Sequence, residues 1–130
     1  MRFTEHELTA ALTGAAKSVL ATQDKSVRKG RRTADEAWAA LTAYQRFQLL
    51  DGLGTQLLPA LVSLPDVAVE PGTRPTFTEA EVTAAVEERL EGRGVRRAVL
   101  VRARVALVQL ALQHVPPRSD PDALTVPDHL

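Results

Sequence analysis

The residues of this chain best suited to do chemistry are its arginines and lysines, and they are densest in DKSVRKGRRT, residues 24–33. Short basic runs of this kind can bind nucleic acids or other polyanions. The run holds no aromatic side chain to stack on a base, so a loop that faces solvent or a protein partner is the competing interpretation. The candidate nucleic-acid contacts are Lys25, Arg28, Lys29, Arg31 and Arg32.

A second cationic cluster follows the glycines at 92 and 94. It consists of Arg93, Arg96 and Arg97. We expect it at the N-terminus of a helix, where free backbone N–H groups and the positive end of the dipole favour an anion such as phosphate or a partner's carboxylate. The alternative is neutralisation by the acids that end the preceding helix, which needs no ligand. Those acids are Glu87, Glu88 and Glu91.

Two further arginines, Arg102 and Arg104, lie inside the most apolar stretch of the chain. They leave a helix about 160° apart, so their stems can pack while their charged ends reach water. Alternatively each pairs with an acid of another segment, such as Asp51 or Asp35, because a buried unpaired arginine is costly. If they line a cavity, they can hold a small anionic ligand. The candidate pocket residues are Trp38, Tyr44, Arg102 and Arg104.

Signs of enzymatic or metal chemistry are weak. The histidines at 6, 114 and 129 do not have the H-x-x-x-H spacing, there is no cysteine, and the serines lack a nucleophile-elbow context. Glu5, His6 and Glu7 form a local trio for which a metal or acid–base role is the alternative; we interpret them as a solvated first turn whose carboxylates complement the helix dipole. We therefore expect no enzyme, no metal site and no cofactor.

Four helices must position these residues, at about 4–22, 34–63, 79–91 and 95–115, with a tail over 116–130. Gly52, Gly54 and Pro59 predict a kink near 52–59, since each disfavours a helix interior. The sequence Pro116-Pro117 ends the last helix. In the tail, Leu124, Val126 and Leu130 are able to fix it to the body of the protein or to another chain.

The helix starts carry a recurring signal. Thr4-x-x-Glu7 and Thr33-x-x-Glu36 have the spacing of capping boxes. Residues 77–86, FTEAEVTAAV, repeat residues 3–12, FTEHELTAAL, at seven positions. Either a helical hairpin was duplicated or a good helix start was used twice, and both interpretations place a helix at 79–91.

The stretch 95–115, VRRAVLVRARVALVQLALQHV, organises the predicted fold. It is apolar almost all the way round, and a helix that is hydrophobic on every side is normally buried. We therefore predict a central helix that the other segments enclose. The fold class is all-α, a single domain built as a mainly antiparallel four-helix bundle.

Composition narrows the function classes. The 130 residues have a formal net charge of zero, which argues against a general polyanion binder. The N-terminus lacks the apolar core of a signal peptide, and arginines make the 95–115 stretch too polar to span a bilayer. We expect a soluble cytoplasmic protein, with no membrane contact, that is a protein–protein interaction module or homo-oligomeric subunit. The alternatives are a nucleic-acid-associated regulator that uses residues 25–32 and a small anionic-ligand binder.

Overall fold

The structure is a computed structural model that describes residues 1–118, and this part of the chain forms six helices and no strand. The helices are α1 (Glu5–Gln23), α2 (Lys25–Arg28), α3 (Ala34–Ala40), α4 (Ala43–Ser63), α5 (Glu79–Glu88) and α6 (Gly94–Gln113). The all-α class is confirmed. Most of the predicted tail, residues 119–130, lies outside the described residues.

Capping boxes begin four of these helices, and each satisfies two backbone N–H groups. The predicted boxes Thr4–Glu7 and Thr33–Glu36 are present, and the repeated motif supplies a third at Thr78–Glu81. A fourth box, Thr42–Gln45, starts α4. Sequence reasoning missed it because glutamine replaces the glutamate.

The Thr42 box shows that the prediction of one helix from residue 34 is wrong. Leu41 and Thr42 are both extended, and they separate α3 from α4. The Arg46 side chain donates hydrogen bonds to the carbonyl oxygens of Leu41 and Trp38 at 2.7 and 3.4 Å. It thus satisfies the Leu41 carbonyl at the end of α3 and is a second donor to the Trp38 carbonyl, which also accepts the backbone N–H of Leu41. By contrast, α4 is continuous through 52–59. The predicted long helix is therefore interrupted at Leu41 and Thr42, where the Thr42–Gln45 box starts α4.

The hydrophobic core lies between α1, α4, α5 and α6. Its fully buried large side chains are Leu57, Leu61, Val82, Val86, Val108 and Val115. Small residues of α1 let neighbouring helices approach closely: Ala11, Ala15 and Ala16 are completely buried. The closest approach is at Gly14, where an added Cβ would lie less than 3.0 Å from atoms of His114.

The prediction that the 95–115 helix is enclosed on all sides is wrong. One side of α6 is buried through Val101, Val105, Val108 and Ala111, and α6 contacts α1, α4 and α5. The opposite side leaves Val95, Val99 and Leu100 at 81%, 61% and 45% exposure. A small protein has too few helices to surround this one, so its apolar sequence meets protein on one side only.

The chain doubles back after α6 and is fastened to the first turn of α1. The backbone of Arg118 exchanges two hydrogen bonds of 2.7 Å with Gly72 and Thr73. Its guanidinium binds the carboxylate of Glu7, which is 3% exposed. The interpretation of Glu7 as part of a solvated first turn is therefore wrong, because a partner 111 residues away covers it.

Candidate functional site

The most distinctive surface of the molecule is the side of α6 that faces away from the core. We call it the outer face of α6, and its exposed residues are Val95, Arg96, Val99, Leu100, Arg102, Ala103 and Ala106. Their spacing of three, four and seven residues places them along one broad stripe of a helix. Large aliphatic side chains thus lie in solvent between two arginines.

The charge of this surface is one-sided. From Gly92 to Val115 the chain has five arginines and no acidic residue. Four ion pairs form within residues 1–118, and Arg97 is the only residue of α6 that takes part in one of them. Arg93, Arg96 and Arg102 therefore have no acidic partner in the described part of the chain. The outer face of α6 is cationic as well as apolar.

A surface groove runs beside this face, between α5 and α6, with a volume of about 700 Å³. We call it the α5–α6 groove. Glu79, Thr83 and Glu87 line its α5 wall, while Arg97 and Arg102 belong to its α6 wall. Val101, Val105 and Leu90 form apolar lining between them. Acidic and basic walls face each other, so the groove itself is closer to neutral than the outer face.

The turn that closes the groove shows what the predicted arginine cluster does. Arg97 donates to the carboxylate of Glu87 at 3.4 Å and to the backbone oxygen of Glu87 at 3.2 Å. It thereby neutralises an acid at the end of α5 and is a second donor to the Glu87 carbonyl, which also accepts the backbone N–H of Leu90. Arg93 lines the groove, whereas Arg96 lies on the outer face. The three arginines thus lie in different environments.

The basic segment 25–32 is more ordered than a plain loop. Asp24 caps α2 through the backbone N–H of Val27 and pairs with Arg32 at 2.5 Å. The Arg32 guanidinium and that backbone hydrogen bond lower the pKa of the Asp24 carboxyl. Arg32 is therefore engaged within the chain. The cations left exposed are Lys25, Arg28, Lys29 and Arg31.

The predicted ligand pocket is not assembled. Tyr44 is 67% exposed at the start of α4, and Trp38 packs against the core from α3. Neither the α5–α6 groove nor the groove beside Phe77 is lined by Trp38, Tyr44 or Arg104. Asp35 pairs with Lys17 at 2.9 Å, so it is not the partner expected for an α6 arginine.

A second exposed apolar patch lies at the start of α4, where Tyr44 and Phe47 are 67% and 62% exposed. The Thr42–Gln45 capping box was the signal that a new helix, with a new phase of buried positions, begins there.

Within residues 1–118, no group of three or more potential metal ligands comes together, and no helix has the length and apolar character needed to cross a bilayer. The chain matches no protein-family model, and neither the curated proteins nor the solved structures contain a match to it.

Proposed function

We propose that this protein is a non-enzymatic, helical protein–protein interaction module. In this proposal α1, α4, α5 and α6 form a mainly antiparallel bundle that holds α6 from one side and presents its outer face to a partner. The observation that supports it is the exposure of Val95, Val99 and Leu100 beside arginines with no acidic partner within residues 1–118. Contiguous apolar surface rimmed by polar groups is typical of binding sites.

The charge of the outer face favours a partner segment that is both acidic and apolar. Aspartate or glutamate would meet Arg96 and Arg102, while aliphatic side chains cover Val95 and Val99. Electrostatic complementarity of this kind steers association and selects against like-charged partners. A symmetric pairing of two α6 helices is disfavoured for the same reason, because it would bring arginines of both copies together. A homo-oligomer, if formed, would use another surface such as the Tyr44 and Phe47 patch.

The test uses two synthetic amphipathic helical peptides with the same apolar positions, one with glutamates and one with lysines on the polar side. Fluorescence anisotropy should show binding of the acidic peptide, weakening as salt rises, and little binding of the basic one. Val99→Asp should weaken binding at least about tenfold, which corresponds to about 1.4 kcal/mol. Val62→Asp is the matched control, since Val62 is similarly exposed, at 56%, on α4. Equal binding by wild type and Val99→Asp would remove the outer face as the binding surface.

Sedimentation of the wild type over a range of concentrations tests the competing occupant, a second copy of the chain. We expect that Val99→Asp does not change the association state of the protein. A dimer that dissociates in Val99→Asp but persists in Val62→Asp would show that the outer face binds its own copy, and the acidic-partner proposal would then be wrong.

A second candidate function, a nucleic-acid-associated regulator, has one observation in its favour. Lys25, Arg28, Lys29 and Arg31 are exposed on an ordered segment and form no ion pair within the described residues. This function requires salt-sensitive binding to duplex DNA or RNA. Replacing Arg28, Lys29 and Arg31 by glutamine should abolish that binding, whereas the same change at Arg93, Arg96 and Arg102 should not. Unaltered binding in the first variant excludes this candidate.

A further inference from the structure

The Tyr44 and Phe47 patch at the start of α4 differs in chemistry from the outer face of α6. Tyr44, Phe47 and Gln48 are exposed there, and they share one side of the helix because they are three or four residues apart. The exposed residues that precede them are small, namely Ala39, Ala40, Thr42 and Ala43. These small neighbours leave the two aromatic rings accessible to a partner.

The Tyr44 and Phe47 patch has almost no charge with which to attract a charged partner. Within residues 37–50 the one charged side chain is Arg46. It is half-buried, and its guanidinium donates to the carbonyl oxygens of Trp38 and Leu41. Depletion of charge and enrichment of aromatic side chains are typical of the centre of a protein–protein interface. An uncharged surface is also compatible with its own copy, whereas the cationic outer face of α6 is not.

We propose that the Tyr44 and Phe47 patch binds the same patch of a second copy of this chain. A two-fold axis brings identical surfaces together, so that a contact of one residue with another is made twice. With the two α4 helices antiparallel, Tyr44 of one protomer packs against Phe47 of the other in both contacts. Aromatic pairs of this kind stack favourably in offset or edge-to-face geometry. This dimer goes beyond the proposed function, because it uses a different helix and does not occupy the outer face of α6.

The charge of Asp51 determines the relative direction of the two helices. Asp51 is exposed, and it follows Phe47 by four residues, so it lies on the same side of α4. In a parallel pair the two Asp51 carboxylates would lie opposite each other, and the positive N-terminal ends of both helices would also meet. In the antiparallel pair the two carboxylates are roughly 16 Å apart along the helix axis, about twice the Debye length at physiological salt. The antiparallel arrangement therefore minimises repulsion between the copies.

The size of the patch predicts a reversible dimer. An aromatic side chain buries about 150–250 Å², and Tyr44 and Phe47 are 67% and 62% exposed. The four rings of a dimer therefore contribute about 500 Å² of buried surface. Reversible complexes bury on the order of 1,000 Å² in total, so the smaller residues around the rings supply the remainder. We expect a dissociation constant on the order of micromolar.

Sedimentation velocity of the full chain over micromolar concentrations tests the dimer. The wild type should show a monomer–dimer equilibrium. Phe47→Asp should raise the dissociation constant at least about tenfold, because it places a charge in an uncharged contact. Val62→Asp introduces the same charge at a similarly exposed position of α4 and should leave the equilibrium unchanged. A wild type that stays monomeric throughout, or equal effects of the two variants, would overturn the proposal.

Mixing two variants tests which residues meet. Tyr44→Lys and Phe47→Asp should each dissociate the dimer when studied alone. Together they should associate several-fold more tightly, because the antiparallel pair places the introduced lysine beside the introduced aspartate and keeps the other contact between Tyr44 and Phe47. Tyr44→Lys mixed with Tyr44→Asp is the matched control, since it brings opposite charges together only in a parallel pair, and it should stay dissociated. Recovery in the control mixture, or none in the first, would overturn the antiparallel contact.

Peptide binding separates this dimer from the proposed function. Phe47→Asp should bind the acidic helical peptide as tightly as the wild type does, because the outer face of α6 is unchanged. A dimer that depends on Phe47 in a protein that binds no peptide would overturn the proposed function and leave the dimer intact. Peptide binding by a wild type that never dimerises would overturn the dimer and leave the interaction module intact.

Discussion

The guanidinium of Arg118 donates two hydrogen bonds to the carboxylate of Glu7, at 2.8 and 3.2 Å. The same carboxylate accepts the backbone N–H of Thr4 at 2.8 Å, in the capping box of α1. Glu7 thus caps the N-terminus of α1 and also binds Arg118, which follows α6. This relationship makes the position of Arg118 depend on a single buried acid.

Glu7→Gln should lower the free energy of unfolding by about 1.5–3 kcal/mol, the range for hydrogen bonds to charged groups. The amide oxygen can still accept from Thr4, as Gln45 does in the α4 capping box, so the loss reports the pair with Arg118. Urea unfolding measures the change. Glu36→Gln alters an exposed capping-box acid that lacks an arginine hydrogen bond, and it should cost much less. Equal losses would show that the pair contributes nothing.

The Glu7 pair should also shape the response to acid. Burial raises the pKa of Glu7, but the hydrogen bonds from Arg118 and Thr4 outweigh it and hold the pKa below the ordinary value for glutamate. Stability from this group is therefore fully present above the unfolded-state pKa and is lost as pH falls through the folded-state pKa. Glu7→Gln should flatten this acid limb. Asp24 and Glu36, whose pKa values are also lowered, should retain part of it.

Gly14→Ala should destabilise the protein by about 1–3 kcal/mol, the usual cost of overpacking, because the new methyl group would collide with the ring of His114. Thermal or urea unfolding measures the loss. Gly14→Ala combined with His114→Gly, which removes the Cβ of His114 as well as its ring, should recover part of it. Gly52→Ala, in a helix position with nothing within 4 Å of the added atom, should instead stabilise by up to about 1 kcal/mol. Parallel behaviour of the two glycines would contradict the close contact.

The starts of the helices could be predicted because their signals are local. Thr4–Glu7, Thr33–Glu36 and the repeated motif at Thr78 all act within four residues, and each forms the expected pair of hydrogen bonds. The pair of Glu7 and Arg118 had no such signal. Its partners are 111 residues apart, and nothing in the pattern around either residue indicates the other.

The environment of α6 could not be predicted from its own sequence. Apolar residues on all sides report that burial would be favourable, but the number of neighbouring helices decides how much burial occurs. The side chain of Val108 is fully buried, whereas that of Val99 is exposed. For the candidate site, the sequence did not predict which apolar residues of α4 and α6 would be exposed. It did not predict that Arg96 and Arg102 share one stripe with them.

The two sides of α6 predict a sharp contrast between equivalent substitutions. Val108→Ala should cost about 2 kcal/mol, because two buried methyl groups are lost and a cavity remains. Val99→Ala should change stability by no more than about 0.5 kcal/mol, since its side chain is already mostly in water. Urea unfolding of both variants measures the difference. Similar costs would mean that Val99 is covered in solution, by a second copy or by another part of the chain.

Substitutions of Arg97 and of Glu87 should lower the stability of the protein by different amounts. Arg97→Met should be the more destabilising, because it removes both the ion pair and the hydrogen bond to the Glu87 carbonyl at the end of α5. Glu87→Gln leaves the carbonyl bond in place, and for an exposed pair the coupling in a double-mutant cycle should be at most about 1 kcal/mol. Arg96→Met, at an exposed position without an ion pair in residues 1–118, is the control and should stay within about 0.5 kcal/mol of wild type. If Glu87→Gln proved as costly as Arg97→Met, the carboxylate rather than the carbonyl would be the group that Arg97 needs, and the turn would be held by charge alone.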